Sequence, residues 1–258
     1  MTANTSEHTV QKMDAFKTIM EWHIKITDAT RGVYFKKHWP FRRNYIYIDL
    51  YAGPGFYDNE DYTGPGSPII AKRVLDSARM PHECVLFNTD EYESDLLKHL
   101  FKDDDNVYVH NEDNCHATQY LTCYRNQFGL AYFDPNNVRF DGELAERIAD
   151  CLPKVDLLFY FGATYDKRVR RSLKNPIGEG HSLMEKMILL FKKSWFVYAP
   201  YGQPQYTFML GTNANAKSWK RVGWYSLDTA VGQSIFNILN YTKEEIESGK
   251  ADQLGFSF

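Results

Sequence analysis

Tyr45-Ile46-Tyr47-Ile48-Asp49-Leu50-Tyr51-Ala52-Gly53-Pro54-Gly55 is the stretch from which the rest of this chain is read. Aromatic and aliphatic residues alternate into a single carboxylate, and the chain then breaks where two glycines flank a proline. A β-branched and aromatic run with a turn signal at its end is the pattern of a buried strand. The Gly-Pro-Gly turn gives the backbone freedom and lets a ligand approach the main chain with no β-carbon in the way. An acid at a strand tip followed by a glycine-rich turn describes a nucleotide-type pocket.

Outward from that strand, helical and strand patterns alternate. Residues 8–33 read as a helix, with Val10, Met13, Met20 and Ile24 at helical spacing. Helices at 68–78, 92–102, 117–127 and 143–151 interleave with strands at 84–88, 107–110, 129–134 and 155–161. That alternation argues for an α/β, doubly wound and mainly parallel sheet. Residues 194–198 and 205–211 read as an antiparallel edge hairpin joined through Pro200 and Pro204. Late helices follow at 229–239 and from Thr242. No repeat or linker interrupts the pattern, so the expectation is one domain over 1–258, with an N-terminal helix and a C-terminal helical extension at 229–258. The acidic, aromatic and glycine-rich segment 56–68 reads as a lid or rim.

The 258 residues carry a formal charge of −3, which excludes a global basic field for nucleic acid. A local patch at Arg168, Arg170, Arg171 and Lys174 is the candidate phosphate contact. Four cysteines lack CxxC pairing, and His110 and His116, which bracket Cys115, lack zinc spacing, so no metal is expected. With no signal-peptide pattern and no membrane-length apolar run, the expected location is cytoplasmic. Four strands end near acids or amides: Asp49, Asn88 with Asp90, Asp113 and Asp134. In an open parallel sheet, ligands sit at those carboxyl ends.

The segment Asp49–Gly55 resembles the first motif of class I S-adenosylmethionine (SAM)-dependent methyltransferases. Continued through Gly64-Pro65-Gly66-Ser67-Pro68-Ile69-Ile70-Ala71, it resembles the three-Cys-motif partner (TcmP) family, with Tyr51 where phenylalanine is usual. The resemblance implies a Rossmann-like class I methyltransferase fold with SAM as cofactor. Asp49, Tyr51, Ala52, Gly53, Pro54 and Gly55 would hold the aminocarboxypropyl end. Asp90 or Glu91 would accept the ribose hydroxyls, and Asp113 would accept from the adenine amine with Asn114 or Cys115 beside the ring. A nicotinamide cofactor fits less well, because the third glycine is missing from its usual place and the acid precedes the turn.

Asp134-Pro135-Asn136-Asn137 lies where amino-methyltransferases carry Asp/Asn-Pro-Pro-aromatic, which implies Asp134 as the catalytic acceptor. Asn136 and Asn137 replace the second proline and the stacking ring. The resemblance further implies a partner protein with a three-cysteine motif, similar to radical-SAM enzymes, and methyl transfer in a nucleic acid modification or phage-related setting. The competing readings are a SAM- or nucleotide-binding scaffold for that partner, and a nucleic acid modifying enzyme of this fold that transfers no methyl group.

Overall fold

The computed structural model describes residues 8–38, 44–58, 62–135, 142–163, 183–190, 193–200, 206–214, 219 and 223–247. Strand β1 (Tyr45–Asp49) is buried at every position. β2 (Phe56–Asp58) and β3 (Thr63–Pro65) pair with each other as a small antiparallel hairpin, so the expected rim segment has regular structure. β4 (His82–Phe87) and β6 (Phe128–Phe133) flank β1 in parallel, and β5 (Val107–His110) pairs in parallel with β4. The chain thus runs outward through β4 and β5, then returns to the other side of β1. This reversal makes the carboxyl end of β1 the topological switch point. A β-carbon at Gly129 would overlap the Ile46 carbonyl, so the register between β6 and β1 demands glycine there.

Helix α1 (His8–His38) lays Met13, Phe16, Ile19, Met20, His23 and Ile24 along one buried stripe. The Phe16 ring packs at a tilt against Tyr132 of β6, centroids 4.7 Å apart. The helix runs past the expected end at 33. Gly32 is tolerated inside it, at a cost of about 1 kcal/mol relative to alanine. Helices α2 (Ser67–Ser77) and α3 (Glu91–Leu100) follow the hairpin and β4. The helix expected over 117–127 shortens to α4 (Ala117–Leu121) followed by a 3₁₀ turn at Thr122–Tyr124, and a further 3₁₀ turn at Asn114–His116 precedes it. Threonine, tyrosine, cysteine and asparagine, all weak helix formers, supply most of that segment. α5 (Gly142–Cys151) leads into β7 (Val155–Gly162).

The chain forms two compact units: residues 1–133 with 147–156, and residues 134–146 with 157–258. The first holds the parallel strands. In the second, β9 (Tyr206–Thr212) pairs antiparallel with both β7 and β8 (Ser194–Tyr198). The expected hairpin is therefore present, and β10 (Trp224–Ser226) adds an antiparallel strand beyond β8. Only three residues long and opened by Gly223 at φ 79°, β10 gives little periodicity to read from sequence. α6 (Leu183–Leu190), α7 (Ala230–Asn240) and α8 (Lys243–Glu247) complete this unit. Its core is aromatic, with Phe196 and Trp224 lying 6.3 and 6.0 Å from the Trp219 ring.

Candidate functional site

Asp49, the last residue of β1, is fully buried, and its carboxylate organises the turn that follows. Oδ2 accepts from the Tyr47 hydroxyl at 2.9 Å and from the Ser67 hydroxyl at 2.7 Å. Oδ1 accepts from the Tyr51 N–H at 3.2 Å. A buried carboxylate is tolerated only when so satisfied. Ser67 opens α2, and the Gly66 N–H donates to the Gly55 carbonyl at 2.6 Å. The two separated pieces of the sequence signature, Asp49–Gly55 and Gly64–Ala71, therefore meet and hold one another.

Gly55 has φ 84°, a left-handed conformation that costs little only for glycine, and its missing side chain lets Leu97 and Leu100 approach. The Ala52 N–H donates to the Phe87 carbonyl at 2.9 Å and the Leu50 N–H to the Tyr132 carbonyl at 3.1 Å. These bonds stitch the turn to β4 and β6. Among the described residues, the Gly53 and Gly55 N–H groups have no hydrogen-bond partner.

Two asparagines brace the turn from the neighbouring strand ends. Asn88, immediately after β4, donates through Nδ2 to the Ala52 carbonyl and to Glu93 at 2.8 Å. Asn114 donates through Nδ2 to the Leu50 carbonyl at 3.0 Å. A third amide, Asn111, ties the Asn88 carbonyl to Ser94. Sequence reading gave Asn88 only as part of a strand tip and missed Asn111 and Ser67 as site residues. Their signal was indirect: amides at the end of one predicted strand and just past another, and a serine in the second motif.

The outlying site residues are helix caps in this arrangement. Asp90 is exposed and accepts from the Glu93 N–H at 2.9 Å through Oδ1 as the N-cap of α3; Glu91, also exposed, is the first residue of that helix. Asp113 accepts from the Cys115 N–H at 2.8 Å, and that bond holds its carboxyl below the usual range. His110 stacks on Phe87 at 5.0 Å and packs at a tilt against Tyr120 at 4.1 Å, and burial pulls its pKa down. His116 instead lies 3.6 Å from Glu112 at the surface. Thus Tyr51, Ala52, Gly53, Pro54, Gly55 and Asn114 gather at one turn with Asp49. Asp134 and Pro135, both half-buried, directly follow β6 in the chain. The residues Arg168, Arg170, Arg171 and Lys174 lie outside the described residues.

No family model and no curated protein matches this chain. Among solved structures, it is similar to protein LPL1258 from Legionella pneumophila str. Philadelphia 1, of family model DUF519. The TM-score is 0.53 and the identity 14%, over 93% of this chain and 94% of that one. An rRNA methylase from Streptococcus thermophilus aligns at TM-score 0.39 and 14% identity, over 66% of this chain and 88% of the other. A methyltransferase from Geobacter sulfurreducens aligns at TM-score 0.37 and 15% identity, over 67% and 73%. With the strand order, the likeness to LPL1258 defines the class as a Rossmann-like α/β fold. Identities this low speak for the fold alone.

No helix among the described residues is long and apolar enough to cross a membrane.

Proposed function

We propose that the chain binds S-adenosylmethionine at the turn after β1 and is a SAM-dependent methyltransferase of the three-Cys-motif partner kind. The observation that carries this reading is the turn itself: a glycine-rich bend at a topological switch point, with the Gly53 and Gly55 amides lacking protein partners among the described residues. Such amides suit the carboxylate of the aminocarboxypropyl end. Asp49, buried against Tyr47, Ser67 and Tyr51, acts by fixing the shape of the turn. Asp90 uses one carboxylate oxygen as a helix cap, which leaves the other for the ribose hydroxyls. Asp113 and Asn114 flank the adenine position.

When bound, SAM supplies an activated methyl group, and the protein needs only to align the acceptor in line and take a proton. Asp134 is the residue for that proton, with the acceptor in a nucleic acid and the cluster Arg168–Lys174 meeting its phosphates. Calorimetric titration with SAM and S-adenosylhomocysteine tests the cofactor reading. Binding of both is expected, and a folded protein that binds neither contradicts it. Asp134→Ala is expected to keep cofactor binding and lose methyl transfer from labelled SAM; retained transfer removes Asp134 from the catalytic role.

The second reading, a cofactor-binding scaffold for a three-cysteine-motif partner, is favoured by Asn136 and Asn137 standing where an acceptor-stacking ring would be. It differs in expecting SAM binding with no turnover in the presence of that partner.

A further inference from the structure

The hairpin after the glycine turn carries a residue that no motif reading singles out. Tyr57, in the middle of β2, lies across two glycines of the signature. A β-carbon at Gly53 would sit 2.5 Å from the Tyr57 hydroxyl oxygen, and one at Gly66 would sit 3.0 Å from its Cε2. The space that glycine leaves open above the turn, through which a ligand reaches main chain in G-x-G sites, is therefore occupied here by a phenol.

The ring is also held firmly. Tyr62 packs against it with centroids 5.9 Å apart, and the Tyr62 hydroxyl donates to the Pro65 carbonyl at 3.0 Å. The Gly66 N–H to Gly55 carbonyl bond closes the hairpin base against the turn. Tyr57 remains half-buried, with one side toward solvent.

We propose that Tyr57 is a specificity-determining residue of the ligand pocket, its hydroxyl donating to the anionic amino-acid end of the ligand at Gly53. This rests on the cofactor reading above and deepens it, because it names the part of the ligand that Tyr57 recognises. A phenol donor at that place selects ligands with a carboxylate at the turn over those that present only a nucleoside.

The test is calorimetric titration of the full chain and its Tyr57→Phe variant with SAM, S-adenosylhomocysteine and 5′-methylthioadenosine, which lacks the amino-acid end. Tyr57→Phe is expected to weaken the first two about tenfold, the scale of one hydrogen bond to a charged group, and to leave methylthioadenosine unchanged. Tyr225→Phe, in β10, is expected to change none of the three affinities. Unaltered thermal midpoints confirm that both variants are folded. Equal weakening of all three ligands by Tyr57→Phe, no weakening, or tighter binding overturns the proposal while leaving the cofactor reading in place. A wild-type chain that binds none of the three overturns both.

Discussion

The two ends of β1 each bear a buried polar cluster, and they differ in what the cluster holds. At the amino end, the Tyr45 hydroxyl donates to His23 Nδ1 at 2.8 Å, and His23 Nε2 donates to Asp156 Oδ2 at 3.1 Å. These three residues join α1, β1 and β7, and all are nearly sealed from solvent. At the carboxyl end, about 13 Å away at ~3.3 Å per residue, Asp49 holds a turn whose glycine amides face no protein acceptor among the described residues. One cluster fastens regular elements to each other; the other shapes irregular backbone. A buried carboxylate alone is therefore no sign of a site. What marks the carboxyl end is that the bonds of Asp49 shape a glycine turn at the switch point.

Substitutions at the two ends should separate along this line. Asp49→Ala is expected to have the largest effect, since it strands the Tyr47 and Ser67 hydroxyls and the Tyr51 N–H in a buried place. A loss of about 3 kcal/mol is expected, read as a fall in the denaturant midpoint, together with loss of SAM binding. His23→Ala is expected to cost about 2 kcal/mol and to leave SAM affinity unchanged; a coupled loss of affinity would erase the distinction between the two ends.

Asn88→Ala is expected to do the reverse, with a stability cost of about 1 kcal/mol and SAM affinity reduced about tenfold in calorimetry. Asp113 should give the smallest effect, and a pH-dependent one. The Cys115 N–H holds its folded pKa below the usual carboxylate value. Its contribution is therefore full above the unfolded pKa and lost as pH falls through the folded one. The stability difference between wild type and Asp113→Asn should accordingly be present at neutral pH and vanish in acid, as followed by denaturation series across that range.

The sequence disclosed the first unit better than the second, and for a physical reason. Strands β1, β4, β5 and β6 are parallel and carry continuous apolar runs bounded by turn residues, so composition alone marks them. β10 is three residues between turns and has no period to detect. The break of 117–127 into short turns follows from weak helix formers whose effect outweighed the apparent pattern. At the site, Asp49 and the turn were legible because an acid and glycines are conspicuous in a strand-turn context. Ser67, Asn88 and Tyr57 were not, since their importance lies in which atoms they meet across the fold: Ser67 and Asn88 lie 18 and 36 residues from their partners Asp49 and Ala52. The pair His23–Asp156, separated by 133 residues, was equally hidden.

Hydrogen exchange measured by mass spectrometry with and without saturating S-adenosylhomocysteine tests directly that the carboxyl end of β1 is the ligand site. Slower exchange is expected in peptides covering residues 49–57 and 87–93, with peptides covering residues 18–27 unchanged. Protection confined to residues 18–27, or no change in the turn despite saturating ligand, would contradict it.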